Sequence, residues 1–167
     1  MVETIQRHKR GGLYFEDFEV GKTYEHRYTR TVTQMDNMLY SNMTLNPQPL
    51  HIDAHFAENT EFGQRLFNSL YTLGIMIGMS VYDTTLGTTI GNLGMTEVKF
   101  PKPVFHGDTL KSHTKIISKR LSQSRPTQGI VTVRTIGRKA DGTVFMSFER
   151  TVLVPKRGHA VDDRAEY

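Results

Sequence analysis

The stretch LFNSLYTLGIMIGMSVYD, residues 66–83, limits most strongly what this chain can fold into. Leu66, Phe67, Leu70, Leu73, Ile77 and Val81 recur at helical spacing and leave almost no polar face, the pattern of a helix buried on most sides. Asn68, Ser69 and Thr72 interrupt the run, and it falls just short of the ~20 residues that span a bilayer, so it reads as a core helix. Gly74 and Gly78 lower helix propensity and point to close approach by a neighbouring backbone. From Thr88 onward the pattern is strand-like. GMTEVKFPKPV carries Pro101 and Pro103, which mark an edge or a kink. GDTLKSHTKIISKRL alternates over a long run, and GIVTVRTIGRK and VFMSFERTVLVPK flank a hairpin turn at Asp141-Gly142. One apolar helix followed by a strand-rich half predicts an α+β domain: a single long helix wrapped by a curved antiparallel sheet of about five strands.

Upstream, residues 1–12 are polar and end in Gly11-Gly12, which reads as a flexible tail; residues 157–167 read as a second polar tail, leaving 13–156 as the domain. A turn at Gly21 leads into a strand over Thr23 to Thr31, where Tyr24, His26 and Tyr28 alternate with Glu25 and Arg27. Thr33 is placed to cap a helix over Gln34 to Asn42, with Asp36 favourable to its dipole and Met35, Met38 and Leu39 as its apolar face. Asp53 is placed to cap a second short helix, AHFAEN.

Composition removes several classes of function. The chain has 167 residues, no cysteine and a net charge of +4. There is no disulfide framework or thiolate metal site, and the first residues carry no apolar h-region of a signal peptide, so a cytoplasmic location is expected. No basic run is interleaved with aromatics, which argues against nucleic acid; a mild cationic excess suits a small phosphorylated molecule. There is no G-x-S-x-G elbow and no P-loop, and Gly91 and Gly94 do not form a dinucleotide fingerprint.

The segment TLNPQPLHID, Thr44 to Asp53, is where chemistry concentrates. Each proline fixes φ, removes an N–H and restricts the residue before it, so the segment reads as a rigid turn, neither helix nor central strand. His51 is thereby held in a fixed orientation, as a general base requires; the bland alternative is a histidine that merely bonds a backbone group. His51-x-Asp53-x-His55 fits no common zinc spacing, and no metal is expected. His26 and His113 fall in strand alternation, His55 in a short helix, and His106 at a turn before Gly107-Asp108.

TLNPQPLHIDAHFA, FGQRLFNSLYTLGIM and VKFPKPVFHGDTL, in that order, resemble the three successive signatures of the MaoC-like dehydratases, the hydratase-2 type enoyl-CoA hydratases of the hot-dog fold. SQSRPTQGIVTVRTIGRKADGTVF further resembles the branch acting on mesaconyl-, methylmalyl- or itaconyl-CoA. The resemblance spans roughly Tyr14 to Lys156. It implies a hot-dog domain, at least a homodimer, no cofactor beyond the CoA thioester substrate, and hydration of an enoyl-CoA. It assigns the histidine of the family pattern D-x-N-P-[LI]-H to His51. The asparagine position holds Gln48, and the catalytic aspartate position holds Asn46. In the second signature Ser69 takes the place whose N–H polarises the thioester carbonyl, beside Asn68, and Tyr40 matches an aromatic shielding the acyl pocket.

Asn46 can hold a water but cannot exchange its proton. His51 could act alone, Asp53 could substitute as the acid, or the domain could bind thioesters without catalysis. An amide at 46 would suit a substrate that carries its own carboxylate, since an aspartate there would repel it. Arg125 is a candidate partner for that carboxylate or for a CoA phosphate; Lys99, Lys102 and Arg120 are weaker candidates for the nucleotide phosphates. A thioesterase is the remaining alternative, but residues 66–81 offer no acid to face the thioester.

Overall fold

The computed structural model describes residues 6–165. After a single 3-10 turn at Phe15–Asp17, the order is β1 (Thr23–Glu25), β2 (Arg30–Thr31), α1 (Gln34–Met43), α2 (Pro49–Ile52), α3 (Ala54–Glu58), α4 (Ser69–Thr84), β3 (Gly91–Lys99), β4 (Thr109–Leu121), β5 (Gln128–Lys139), β6 (Val144–Pro155) and α5 (Val161–Arg164). The strands form one antiparallel sheet in the order β1-β4-β5-β6-β3, with β2 also on β4. The α+β expectation of one long helix on a curved sheet therefore holds.

The alternation of β5 shows how the sheet is covered. Gly129, Val131, Val133, Thr135 and Gly137 are all buried and share one face. At one end Gly137 lies against Phe145 and Met76 of α4; at the other Gly129 lies against the ring of Phe15. Two covers thus sit side by side on one face. α4 packs Leu73, Met76 and Met79 on Leu110, Phe145, Met146 and Phe148. Leu13, Phe15 and Phe18 pack on Ile116, Val131, Val133, Val152 and Val154. The segment expected as a loose tail is, over its described part, tied down: Gly12 N–H donates to Leu86 O, Leu13 N–H to Thr84 O, and Arg7 to Asp83 O. Residues 1–5 lie outside the described residues. At the other end α5 returns to this segment, where Tyr14 O–H donates to Asp163 and Arg10 pairs with Asp162.

Four local expectations are revised. The strand expected over Thr23–Thr31 is two short ones, because His26 turns inward between them to bond Asp83 and Thr114. The proline turn contains a helical turn, α2, whose first residue is Pro49; at that position the missing N–H removes no helical bond. α1 faces the other way from its apolar stripe. Met35 and Leu39 are 73% and 57% exposed, whereas Asp36, Asn37 and Ser41 are buried. Among the described residues, no atom lies within 4 Å of a Cβ built at Gly74 or Gly78, so no neighbouring backbone accounts for either glycine.

Candidate active site

The start of α4 is set by Asn68, whose side chain accepts the N–H of Leu70. Just before it, residue 66 forms an isolated antiparallel bridge with Phe105, and Phe67 N–H donates to Val104 O. The N–H groups from Phe67 to Thr72 can be followed one by one. Asn68 N–H goes to Asn37 Oδ1, Leu70 N–H to Asn68 Oδ1, and those of Tyr71 and Thr72 to Asn68 O. Ser69 N–H alone in this run has no partner among the described residues. Ser69 is exposed and lines a cavity of about 320 Å³ together with Leu66, Phe67, Thr72, Lys102 and Phe145. An unpaired N–H at a helix start, on a residue that lines a largely apolar hollow, is suited to an oxygen on which negative charge develops.

His51 sits in α2, half-buried, with Nδ1 2.8 Å from Leu66 O. A carbonyl only accepts, so Nδ1 carries a proton, and in the neutral ring the lone pair is on Nε2. Nε2 has no hydrogen-bond partner among the described residues and is not sealed from solvent. His51 and Asn46 are not themselves among the cavity's lining residues; His51 adjoins it through Leu66.

Asn46 Oδ1 accepts the N–H of Gln48, and its amide N–H groups have no partner among the described residues. Gln48 is exposed at the start of α2. Tyr40 stacks on Tyr71 with ring centroids 5.0 Å apart, and Tyr71 stacks on Phe67 in turn, so Tyr40 reaches the site as packing rather than as cavity wall. Asn68 is 3% exposed and engaged as the helix cap, so it holds the helix start instead of touching a ligand. Asp53 is exposed and caps α3 through Phe56 N–H. Arg125 lies beyond the far end of β4; twelve steps of strand put it on the order of 35–40 Å from the Asp108 end beside the site. Lys102 lines the cavity, Lys99 pairs with Glu97, and Arg120 lies near the Arg125 end. Among the described residues no three His, Asp or Glu side chains converge as metal ligands would, and no helix is long and apolar enough to cross a membrane.

Two side chains that sequence reasoning passed over are central. Asn37 is fully buried and contacts His51 O, Leu66 O and His106 Nε2, at 3.0, 3.1 and 3.0 Å. His106 lies edge-on to Phe67. Burial, helped by the charge of Arg65, holds the His106 pKa below the ordinary histidine value, and Nε2, facing an amide nitrogen that can only donate, is the acceptor of the pair. The available signal was the buried-side spacing of Asn37 and Ser41, four apart, hidden behind the more conspicuous Met35–Leu39 stripe.

Comparison with known proteins agrees with this architecture. The family described as "MaoC like domain" matches residues 17–139. Over 149 residues the chain is 32% identical to a mesaconyl-CoA hydratase of Cereibacter sphaeroides, covering 89% of this chain and 43% of that protein. It is 33% identical over 146 residues to a beta-methylmalyl-CoA dehydratase of Chloroflexus aurantiacus, covering 87% of this chain and 41% of that one. The chain therefore spans about two fifths of the length of these relatives. A Mycobacterium tuberculosis protein with a double hot-dog fold superposes with a TM-score of 0.81 at 20% identity, over 92% of this chain and 48% of that one, which identifies the fold here as one hot-dog unit.

Proposed function

Because the chain belongs to the MaoC-like domain family, we propose that it adds water reversibly across the double bond of a short, carboxylated enoyl-CoA thioester. The observation that carries this reading is the uncommitted Ser69 N–H at the mouth of α4, on the wall of a cavity whose neighbouring wall residue, Leu66, also fixes the ring of His51. In the forward step His51 Nε2 takes a proton from water as the oxygen bonds to the β-carbon. The electron pair of the C=C bond moves through the α-carbon to the thioester oxygen, where Ser69 N–H stabilises the developing charge. The proton on Nε2 then passes to the α-carbon, which restores the thioester and the free base. No cofactor takes part.

The free N–H groups of Asn46 can donate to a carboxylate carried by the substrate, where an aspartate would repel it. Relatives named for mesaconyl-CoA and beta-methylmalyl-CoA support a branched dicarboxylic acyl group. The edge of β3, unpaired among the described residues, supports a second hot-dog unit as partner, here a second copy of this chain. A second reading, thioester binding without turnover, is favoured by Asn46 itself, since no carboxylate stands where the family places its acid.

A panel of enoyl-CoA thioesters, followed by loss of the conjugated double bond and run beside His51→Ala, tests the proposal. Turnover of dicarboxylic enoyl thioesters that disappears in His51→Ala is expected. Release of free CoA indicates a thioesterase, binding without reaction indicates the binding module, and equal turnover of a plain crotonyl thioester removes the carboxylate requirement.

A further inference from the structure

We propose that Asn37 is the positioning residue of this site, one buried side chain that sets the His51 base against the start of α4. The inference rests on the reading of the site as a hydratase. Its grounds are geometric. Asn37 Oδ1 accepts the Asn68 N–H at 2.9 Å, on the residue that caps α4. The two N–H groups of its Nδ2 are shared among three acceptors: the main-chain oxygen of His51, Leu66 O, which also receives His51 Nδ1–H, and His106 Nε2. The backbone of the base, the ring of the base and the helix start are thus all referred to one amide. His106 Nε2, on the connection between β3 and β4, closes the arrangement from the far side.

The orientation of α1 supports this role. A helix carrying Met35, Leu39 and Met43 on one stripe would ordinarily bury that stripe. Here those residues are 73%, 57% and 74% exposed, and α1 instead turns Asp36, Asn37 and Ser41 inward. Thr33 and Asp36 hold that orientation, because Asp36 accepts from Thr33 N–H and Oγ1–H and pairs with Arg30. Burying an amide is favourable only when its groups are satisfied, and every polar atom of the Asn37 side chain is engaged with the site. The free Ser69 N–H follows from the same arrangement: Asn37 takes the N–H before it and Asn68 the N–H after it.

The test compares Asn37→Ala and Asn37→Asp with the wild-type enzyme. Asn37→Asp keeps an acceptor for Asn68 N–H and nearly the same volume but removes the donors. Each is expected to lower kcat by about 10- to 100-fold with KM changed less than about threefold, because binding groups stay in place while the base is misaligned. NMR should show a displaced His51 ring signal in both variants, and faster exchange of the Asn68 amide in Asn37→Ala. A folded variant that keeps kcat within about threefold, or that loses activity only through KM, overturns the proposal. If the wild type turns over no enoyl thioester, the hydratase reading has failed, and Asn37 is judged on the NMR readouts alone; an unmoved His51 ring signal in Asn37→Asp then overturns it. If neither variant folds, the wild-type Asn37 side-chain amide protons decide. They must resist exchange as core amides do, and rapid exchange refutes the role.

Discussion

Asn68 and Leu70 are joined by a cap in which Asn68 Oδ1 accepts the Leu70 N–H at 3.1 Å, and the residue between them is left with an N–H that no other described residue claims. This permits an unusually clean substitution. Ser69 is the first residue of α4, where proline is well tolerated because its missing N–H is not used by the helix. Asn68, at φ −63° and ψ 118°, already has the extended backbone that a following proline demands. Ser69→Pro should therefore fold, with a thermal midpoint close to wild type, and lose about 100- to 1,000-fold in kcat for the proposed hydration as the proposed oxyanion donor disappears. Ser69→Ala, which keeps the N–H, should retain most activity. Steady-state kinetics of the two variants side by side check both statements.

The edge of β3 predicts assembly. Among the described residues β3 pairs only with β6, and it presents Leu93 and Met95 at 53% and 38% exposure beside an edge of unpaired backbone groups. Sedimentation at micromolar concentration should give a dimer, and Leu93→Lys combined with Met95→Lys should give a monomer that keeps its far-UV spectrum. A wild-type monomer would refute the assignment of this edge.

Acid sensitivity should trace to the cluster at the far end of α4. Burial pushes the His26 pKa below its ordinary 6.5, against the pull of Asp83. Burial alone would raise that of Asp83, but hydrogen bonds from the Arg27 side chain and backbone and from His26 outweigh it, and the carboxyl lies below its ordinary 3.8. Neutral His26 donates to Asp83 and accepts from Thr114. Both groups bind a proton less readily folded than unfolded. Each therefore stabilises the fold above its unfolded pKa, and that contribution is lost as pH falls through the folded one. Stability should decline below about pH 6.5 as the unfolded chain takes up a proton at His26, and again below about pH 4. Asp83→Asn should be less stable than wild type at neutral pH, with the difference in melting temperature shrinking on acidification; a constant difference would contradict the assignment.

Glycines divide into two kinds that a denaturation series can separate. A Cβ at Gly129 would fall 1.9 Å from Phe15 Cδ2, so Gly129→Ala should lower stability by about 1–3 kcal/mol or more through overpacking. Gly74, inside α4, has nothing within 4 Å of the same added atom. Gly74→Ala should raise the stability of the isolated chain by roughly 0.5–1 kcal/mol through helix propensity. Urea midpoints of the two variants would show opposite shifts.

Much of the fold was legible because its signals are local. The run 66–83, the Asp141-Gly142 turn and the alternation of the last three strands each declare themselves within a dozen residues, and the caps at Thr33 and Asp53 are where the sequence places them. What stayed hidden is non-local. Nothing near Phe15 announces that it will rest on Gly129, and nothing near His26 that Asp83 awaits it. The site divides in the same way. His51 and Ser69 stand out through motif and helix start. Asn37 does not, because its worth comes from three distant segments and its helix advertises the wrong face.

The two covers on the face of β5 differ in how far along the chain they must travel. The strands β4, β5 and β6 are successive hairpins that close short loops, whereas the segment around Phe15 meets Gly129 only after most of the polypeptide has been fixed. Closing so long a loop carries the larger entropic cost and is expected to come late in folding. The same asymmetry makes this segment the natural first piece to lift away on unfolding. It would bare Val131 and Val133 while the start of the helix carrying Ser69 stays seated, so the molecule can begin to come apart at one end with the candidate site at the other intact.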